Sequence, residues 1–175
     1  MALAAALGHM LLACVPVTPK PAEPLGQTPP PPSLPTGPIA FEFESVDDSS
    51  VSAPAFRGKP AVLAFVVTDT LAGQAEASIL AGLAQKMPTV ARFVVVAVEP
   101  EDRHELVQGF VRFFTDKTHA PLLGAIADKD SLIGQGPFGD VRGLTVVILD
   151  AGGRVAFRKS GVVQASEIAE ALRTM

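Results

Sequence analysis

The chain has no tryptophan, no tyrosine and a single cysteine among its 175 residues, so all of its aromatic side chains are its ten phenylalanines. One thiol cannot close an internal disulfide, form a Cys-x-x-Cys redox pair or build a thiolate zinc site, and several enzyme classes fall away on that count. Excess positive charge is missing too. Fourteen Lys and Arg stand against 18 Asp and Glu, a net charge of −4, which argues against a nucleic-acid partner. The apolar start, Met1 to Ala13, runs 13 residues, short of the about 20 that a bilayer-crossing helix requires.

What is present is unevenly spread. Ten of the 16 prolines fall between Pro16 and Pro38, and only six lie in the 137 residues from Ile39 to Met175. This pattern divides the chain into a signal peptide over 1–13, a proline-rich linker over 14–38 and one domain over 39–175. A domain of that size buries roughly two-thirds of its unfolded surface and folds without staples. Residues 1–13 have the length of a secretory apolar region and end in the small Ala13 before Cys14. Leu11-Leu12-Ala13-Cys14 resembles a bacterial lipobox, in which a peptidase cuts before the cysteine and the thiol carries a lipid. The stretch departs from that motif in the bulk of Leu12 and in having His9 as its only titratable side chain upstream. The resemblance implies lipidation at Cys14 and attachment to a membrane of the cell envelope. Val15 after Cys14 implies the outer membrane in a cell that has one. The other reading is a cleaved or buried segment with an incidental cysteine.

Between Val15 and Pro38 the only charges are Lys20 and Glu23, and no hydrophobic period is seen. Pro29 to Pro32 is a polyproline run, stiff and solvated, and the segment is expected to be a disordered stalk rather than a ligand for a proline-binding domain. Fully extended, at about 3.1 Å per residue, it would span roughly 70 Å.

The rest alternates strand and helix patterns. Phe41-Glu-Phe-Glu-Ser reads as a half-buried strand, and Ala61-Val-Leu-Ala-Phe-Val-Val as a strand covered on both faces. Leu71 to Lys86 suits a helix with Leu71, Ala75, Ile79, Leu80 and Leu83 inward, capped by Asp69 or Thr70 and ended by Pro88. Arg92 to Val98 is a second buried strand. Glu101 to Lys117 reads as a helix with Leu106, Val107, Phe110, Val111 and Phe114 inward; the acids Glu99, Glu101, Asp102 and Glu105 suit its positive end rather than a metal. Leu122 to Ala127 is a short strand, Ser131 to Gly134 a turn of helix, Leu144 to Arg158 a hairpin about Ala-Gly-Gly, and Gln164 to Arg173 a closing helix. The order predicts an α/β domain, a mixed sheet (βαβαβ then ββα) with helices on both faces.

Three stretches carry a resemblance: Phe56-Arg-Gly-Lys-Pro-Ala-Val-Leu-Ala-Phe, Glu76-Ala-Ser-Ile-Leu-Ala-Gly-Leu, and Val141-Arg-Gly-Leu-Thr-Val-Val-Ile-Leu-Asp-Ala-Gly-Gly-Arg-Val. In this order they resemble the thioredoxin-like fold, specifically the membrane-anchored thiol-disulfide oxidoreductases of bacterial envelopes (TlpA-like, with redoxins nearby). The resemblance implies that fold from Phe41 onward. It also implies an active site at the start of the helix after the first buried strand, where a helix N-terminus lowers a thiol's pKa. Here the chain departs from the family. Counted from Gly58-Lys59-Pro60, the family's tryptophan position holds Asp69, the nucleophilic cysteine position Thr70 and the resolving position Gly73. Ala64 replaces the acidic proton shuttle, and Leu144 or Thr145 stands where the family has its cis-proline. A threonine hydroxyl is a poor nucleophile without an adjacent base, and the peroxiredoxin and copper-chaperone alternatives lack their cysteines as well.

Other candidates are weaker. Asp128-Lys129-Asp130 lacks most of a calcium loop. His104 and His119 read as surface residues, and Gly134 to Gly139 does not open a helix as a phosphate loop would. No cofactor or metal is expected. The sequence therefore predicts a redox-inactive, lipid-anchored envelope protein with a protein or peptide partner and no nucleic acid. Its candidate binding groove is Asp69, Thr70, Gly73, Gly136, Phe138, Gly143, Leu144 and Thr145. The alternatives are a thiol-disulfide oxidoreductase or antioxidant protein working with a partner's thiols, and a structural envelope component.

Overall fold

The structure is a computed structural model that describes residues 35–128, 137–139, 141 and 143–175. The expected signal peptide, Cys14, the stalk as far as Leu34, the Ser131–Gly134 turn and Gly136 lie outside these residues, while the last stalk residue, Pro38, already joins the fold. Seven strands form one sheet: β1 Glu42–Ser45, β2 Val51–Ser52, β3 Ala61–Val66, β4 Arg92–Val98, β5 Leu122–Ala127, β6 Thr145–Leu149 and β7 Val155–Ser160. Among the described residues four helices accompany them: the single turn α1 Ala53–Phe56, then α2 Leu71–Lys86, α3 His104–Thr118 and α4 Ala165–Arg173. Neighbours in the sheet run β2-β1-β5-β4-β3-β6-β7. Strands β3, β4 and β5 are parallel, with Val62 beside Phe93 and Phe93 beside Leu122; β1, β6 and β7 join antiparallel.

The apolar run of β3 is explained by what covers it. Val62, Ala64 and Val66 face a core shared with Leu80 and Ala81 of α2, Val107 and Val111 of α3, and Ile168 and Leu172 of α4. Leu63 and Phe65 face the opposite core, with Phe56 of α1, Phe138, Val141 and Val155. Helices thus lie on both faces, but the three long ones share one. Parallel strands β3, β4 and β5 are wound in a single direction across the sheet, so the right-handed crossovers through α2 and α3 fall on the same side. The second face is closed by phenylalanines: Phe41, Phe43, Phe56, Phe65 and Phe138 form ring pairs with centroids 5.0 to 5.9 Å apart, the tilted and edge-on geometries that aromatic quadrupoles favour.

The helices differ from their sequence patterns in phase. The buried stripe of α2 is Gly73, Glu76, Ala77, Leu80, Ala81, Leu83 and Ala84, so Leu80 and Leu83 are inward as expected, with Ile79 half-buried. Leu71 and Ala75 point outward instead, Leu71 with 85% of its surface exposed. A fully buried glutamate breaks the apolar stripe, and that displaces the hydrophobic pattern. Helix α3 begins at His104 behind a 3-10 turn at Glu101–Arg103 rather than at Glu101, and Leu106 is exposed, not inward. Helix α4 begins one residue later than its pattern because Gln164 is its N-cap, joined with Glu167 in a reciprocal capping box. Strand β2 and the turn α1 carry too short a pattern to be read from sequence. The chain enters the fold at Pro38, which bridges Arg154, and Ile39 N–H donates to the Gly153 carbonyl at 2.9 Å. Among the described residues no helix is long and apolar enough to cross a membrane.

Candidate functional site

Strands β3, β4 and β5 end on one edge of the sheet, the place where α/β folds put their ligands. Residues 67–70 lead from β3 into α2, and Thr70 is the N-cap of that helix, extended at φ −98 and ψ 143. Its Oγ1 accepts from Gly73 N–H at 3.0 Å and donates to the Val67 carbonyl at 2.8 Å. The hydroxyl is thereby committed in both directions as a helix cap. At Gly73 a side chain has no room: a Cβ would press far inside contact distance of the Val67 carbonyl oxygen and lie 3.0 Å from Thr70 Oγ1. The turn that lets Thr70 cap α2 is therefore the same turn that closes the space a second cysteine would occupy.

Across the edge, the register Phe65 to Thr145 sets Leu144 opposite Val66, and the Leu144 carbonyl accepts from Gly161 N–H at 2.9 Å. Gly143 takes φ +76, a left-handed backbone that suits glycine. Asp69, Thr70 and Gly143 are exposed and Leu144 is half-buried, so these four, with Leu71, make an accessible surface. Other candidates do not belong to it. Phe138 is a correction: it is 2% exposed and packs its ring on Phe41, Phe43 and Phe65, so it closes the core instead of lining a groove. Thr145 is buried as well, its Oγ1 3.3 Å from Ser160 Oγ. Ala64 packs in the apolar core beneath α2. His104 Nδ1 lies 3.1 Å from Glu44, and His119 takes φ 52 at the end of α3, so neither is placed as a base for Thr70.

Two buried acids were not legible as site features. Glu99, read from sequence as a charge for the start of α3, turns into the edge instead. Its Oε1 accepts from Thr68 N–H at 3.1 Å and Thr68 Oγ1 at 2.8 Å, and Arg103 lies 3.6 Å from its Oε2. The β3–β4 register, Val66 beside Ala97, runs on to set Thr68 beside Glu99, and this was the available signal. The pair pins the loop that holds Thr70. Glu76 is fully buried in α2, and its Oε2 accepts from Val163 N–H at 2.9 Å, tying α2 to the β7–α4 connection; Oε1 has no partner. Burial holds the Glu76 carboxyl above its ordinary value of 4.5; the Val163 N–H opposes that rise and the Glu167 charge adds to it.

A carboxyl raised in the folded state favours folding fully below its unfolded pKa, and that contribution is lost as pH rises through the folded value. Glu76→Gln keeps an oxygen for Val163 and removes the charge. Its urea midpoint should match the parent near pH 4 and exceed it at pH 7 to 8, giving a flatter stability profile. A variant no more stable than the parent at pH 8 would contradict the buried, proton-linked placement. Among the described residues no three His, Cys, Asp or Glu side chains gather as metal ligands.

No protein-family model matches the chain, and no curated protein matches it either. Solved structures do. The structure of MTB DsbF in its mixed oxidized and reduced forms superposes with a TM-score of 0.59 at 23% identity, over 79% of this chain and 98% of that one. A thiol:disulfide interchange protein of the thioredoxin family from Chlorobium tepidum gives 0.61 at 17%, over 81% and 97%. A SCO1/SenC family lipoprotein from Bacillus anthracis gives 0.60 at 18%, over 81% and 98%. The chain has the thioredoxin-like fold. In this thioredoxin-like domain, the residues that begin α2 are a helix cap and a space-limited glycine.

Proposed function

We propose that this is a thioredoxin-like envelope protein without redox chemistry of its own. In this reading it is held to a membrane by a lipid on Cys14 and binds a protein or peptide through the edge formed by Asp69, Thr70, Leu71, Gly143 and Leu144. The observation that carries the reading is the start of α2: Thr70 is spent as the cap, and the Val67 carbonyl fills the space beside Gly73. A thiol at position 70 or 73 is absent, and the backbone has closed over the second position. The exposed Leu71 and the half-buried Leu144 supply apolar surface for a partner. An envelope location draws support from neighbours such as the Bacillus anthracis lipoprotein and an exposed lipoprotein thioredoxin of Streptococcus pneumoniae.

The chain with Cys14→Ser should give no turnover of insulin disulfides above buffer. A photo-crosslinker in place of Leu71 should capture a discrete partner in cells, whereas one at Gln85, at the far end of α2, should not. Turnover by the cysteine-free chain, or equal capture from both positions, would end this reading. A second reading, in which the protein works with a partner's thiols, is favoured by neighbours described as thiol:disulfide interchange proteins. It requires turnover to appear when a dithiol partner is supplied and to depend on Thr70.

A further inference from the structure

The Gly-Lys-Pro stretch before β3 plays no part at the α2 edge. It lies at the opposite pole of the sheet, where the parallel strands begin, and there it borders a cavity of about 380 Å³. The cavity is lined by Ser49 and Ser50 before β2, Ala55 of α1, Lys59, Pro88, Ala91, Arg92, Pro121 and Leu123. Two of these residues are cations. The turn at Gly58, φ +84, carries Lys59 to the cavity wall, where its Nζ donates to the Pro88 carbonyl at 2.9 Å. Arg92 opens β4 and is half-buried. Its guanidinium donates to the Ala55 carbonyl and lies over the Phe56 ring, 5.5 Å from the centroid. Backbone carbonyls and a ring face thus hold both heads in place.

Among the described residues neither cation has a carboxylate partner. The acids just before the cavity's serines are not paired with them: Asp47 accepts from the Ser45 and Ser49 hydroxyls, and the ion pairs among the described residues involve neither Lys59 nor Arg92. Each carbonyl uses one donor, so two ammonium N–H groups and most of the guanidinium fork remain. A cation partly withdrawn from water without a counter-charge is an unfavourable arrangement, and an anion in the cavity would relieve it. The protein as a whole is acidic, so this local excess of positive charge is not the spill-over of a basic surface.

We propose that this cavity is a binding site for a small molecule bearing an oxyanion, a phosphate or carboxylate group, held between Arg92 and Lys59 with Ser50 at the rim. Arg92 offers the paired N–H geometry that such groups take up, and Lys59 adds a point charge. The remaining volume, walled by Ala55, Pro121 and Leu123, is larger than a bare ion fills and suits a compact organic body; it falls at the small end of ordinary ligand sites.

Amide NMR of the full chain, titrated with inorganic phosphate and separately with acetate at constant ionic strength, tests the site. Saturable shifts at Ser50, Lys59, Arg92 and Leu123 are expected. Arg92→Gln and Lys59→Gln should each weaken the midpoint by about tenfold, the loss of a charged hydrogen bond, while Lys86→Gln, outside the cavity, should not. Saturation by phosphate alone identifies a tetrahedral oxyanion, and saturation by both identifies oxyanions as a class. Shifts that stay linear with both anions, or midpoints that are the same in the variants, overturn the proposal. Should Arg92→Gln lose its dispersed spectrum, Lys59→Gln, which removes the second charge and only the Pro88 carbonyl contact, decides.

Discussion

Phe138→Ala is expected to destabilise the domain by about 3–5 kcal/mol, the range for emptying a buried phenylalanine site. The ring is 2% exposed and touches Phe41, Phe43 and Phe65, with its centroid 5.0 Å from that of Phe65. It joins the stretch before β6 to β1 and to β3, so its loss opens the second face of the sheet. The same residue read as a groove contact would leave stability unchanged on truncation and weaken only partner binding. Urea unfolding of the purified variant separates the two: a midpoint equal to that of the parent would return Phe138 to the surface.

Gly73→Ala is expected to destabilise by about 1–3 kcal/mol, although helix propensity alone predicts the opposite. Alanine is favoured over glycine inside a helix by about 1 kcal/mol, and Gly82→Ala, where a Cβ meets nothing within 4 Å, should show that gain. At Gly73 the added carbon meets the Val67 carbonyl, a backbone atom that cannot swing aside. Overpacking wins. Gly73→Cys meets the same carbonyl, so the double variant Thr70→Cys/Gly73→Cys should be less stable than its parent and should not acquire insulin turnover. A double variant that folds with the parental midpoint and cycles disulfides would show that the start of α2 still accommodates a dithiol.

Much of the architecture was legible because strands and helices announce themselves through different periods. The continuous apolar run at β3, the Ala-Gly-Gly turn between β6 and β7 and the helix after Gln164 were all placed within a residue or two. The motif at Gly58-Lys59-Pro60 brought Thr70 and Gly73 to the head of α2, where the structure has them. What a hydrophobic pattern could not show was any polar group that folding buries. Glu76 occupies a core position of α2, and a purely apolar pattern passes over it and takes in Leu71 and Ala75, which face outward, beside Leu80 and Leu83, which are buried. Glu99 was read as a partner for a helix dipole because its true partner, Thr68, lies 31 residues away in sequence and becomes a neighbour only through the strand register. Phe138 stands in a glycine-rich stretch and read as a groove contact, since nothing in a short irregular segment tells a ring that plugs the core from one that meets a partner. The cavity of Lys59 and Arg92 was invisible for the same reason, its walls coming from five separate stretches of chain.

The bridge between Pro38 and Arg154 gives the domain a polarity. Arg154 follows the β6–β7 turn, and the β3–β6 register, Ala61 beside Leu149, puts that turn at the end of the sheet where β3 starts. Pro38 therefore lies at the pole shared with the Lys59 and Arg92 cavity and opposite to Thr70. The α2 edge and the cationic cavity thus lie at opposite ends of one sheet, so a ligand at either leaves the other open.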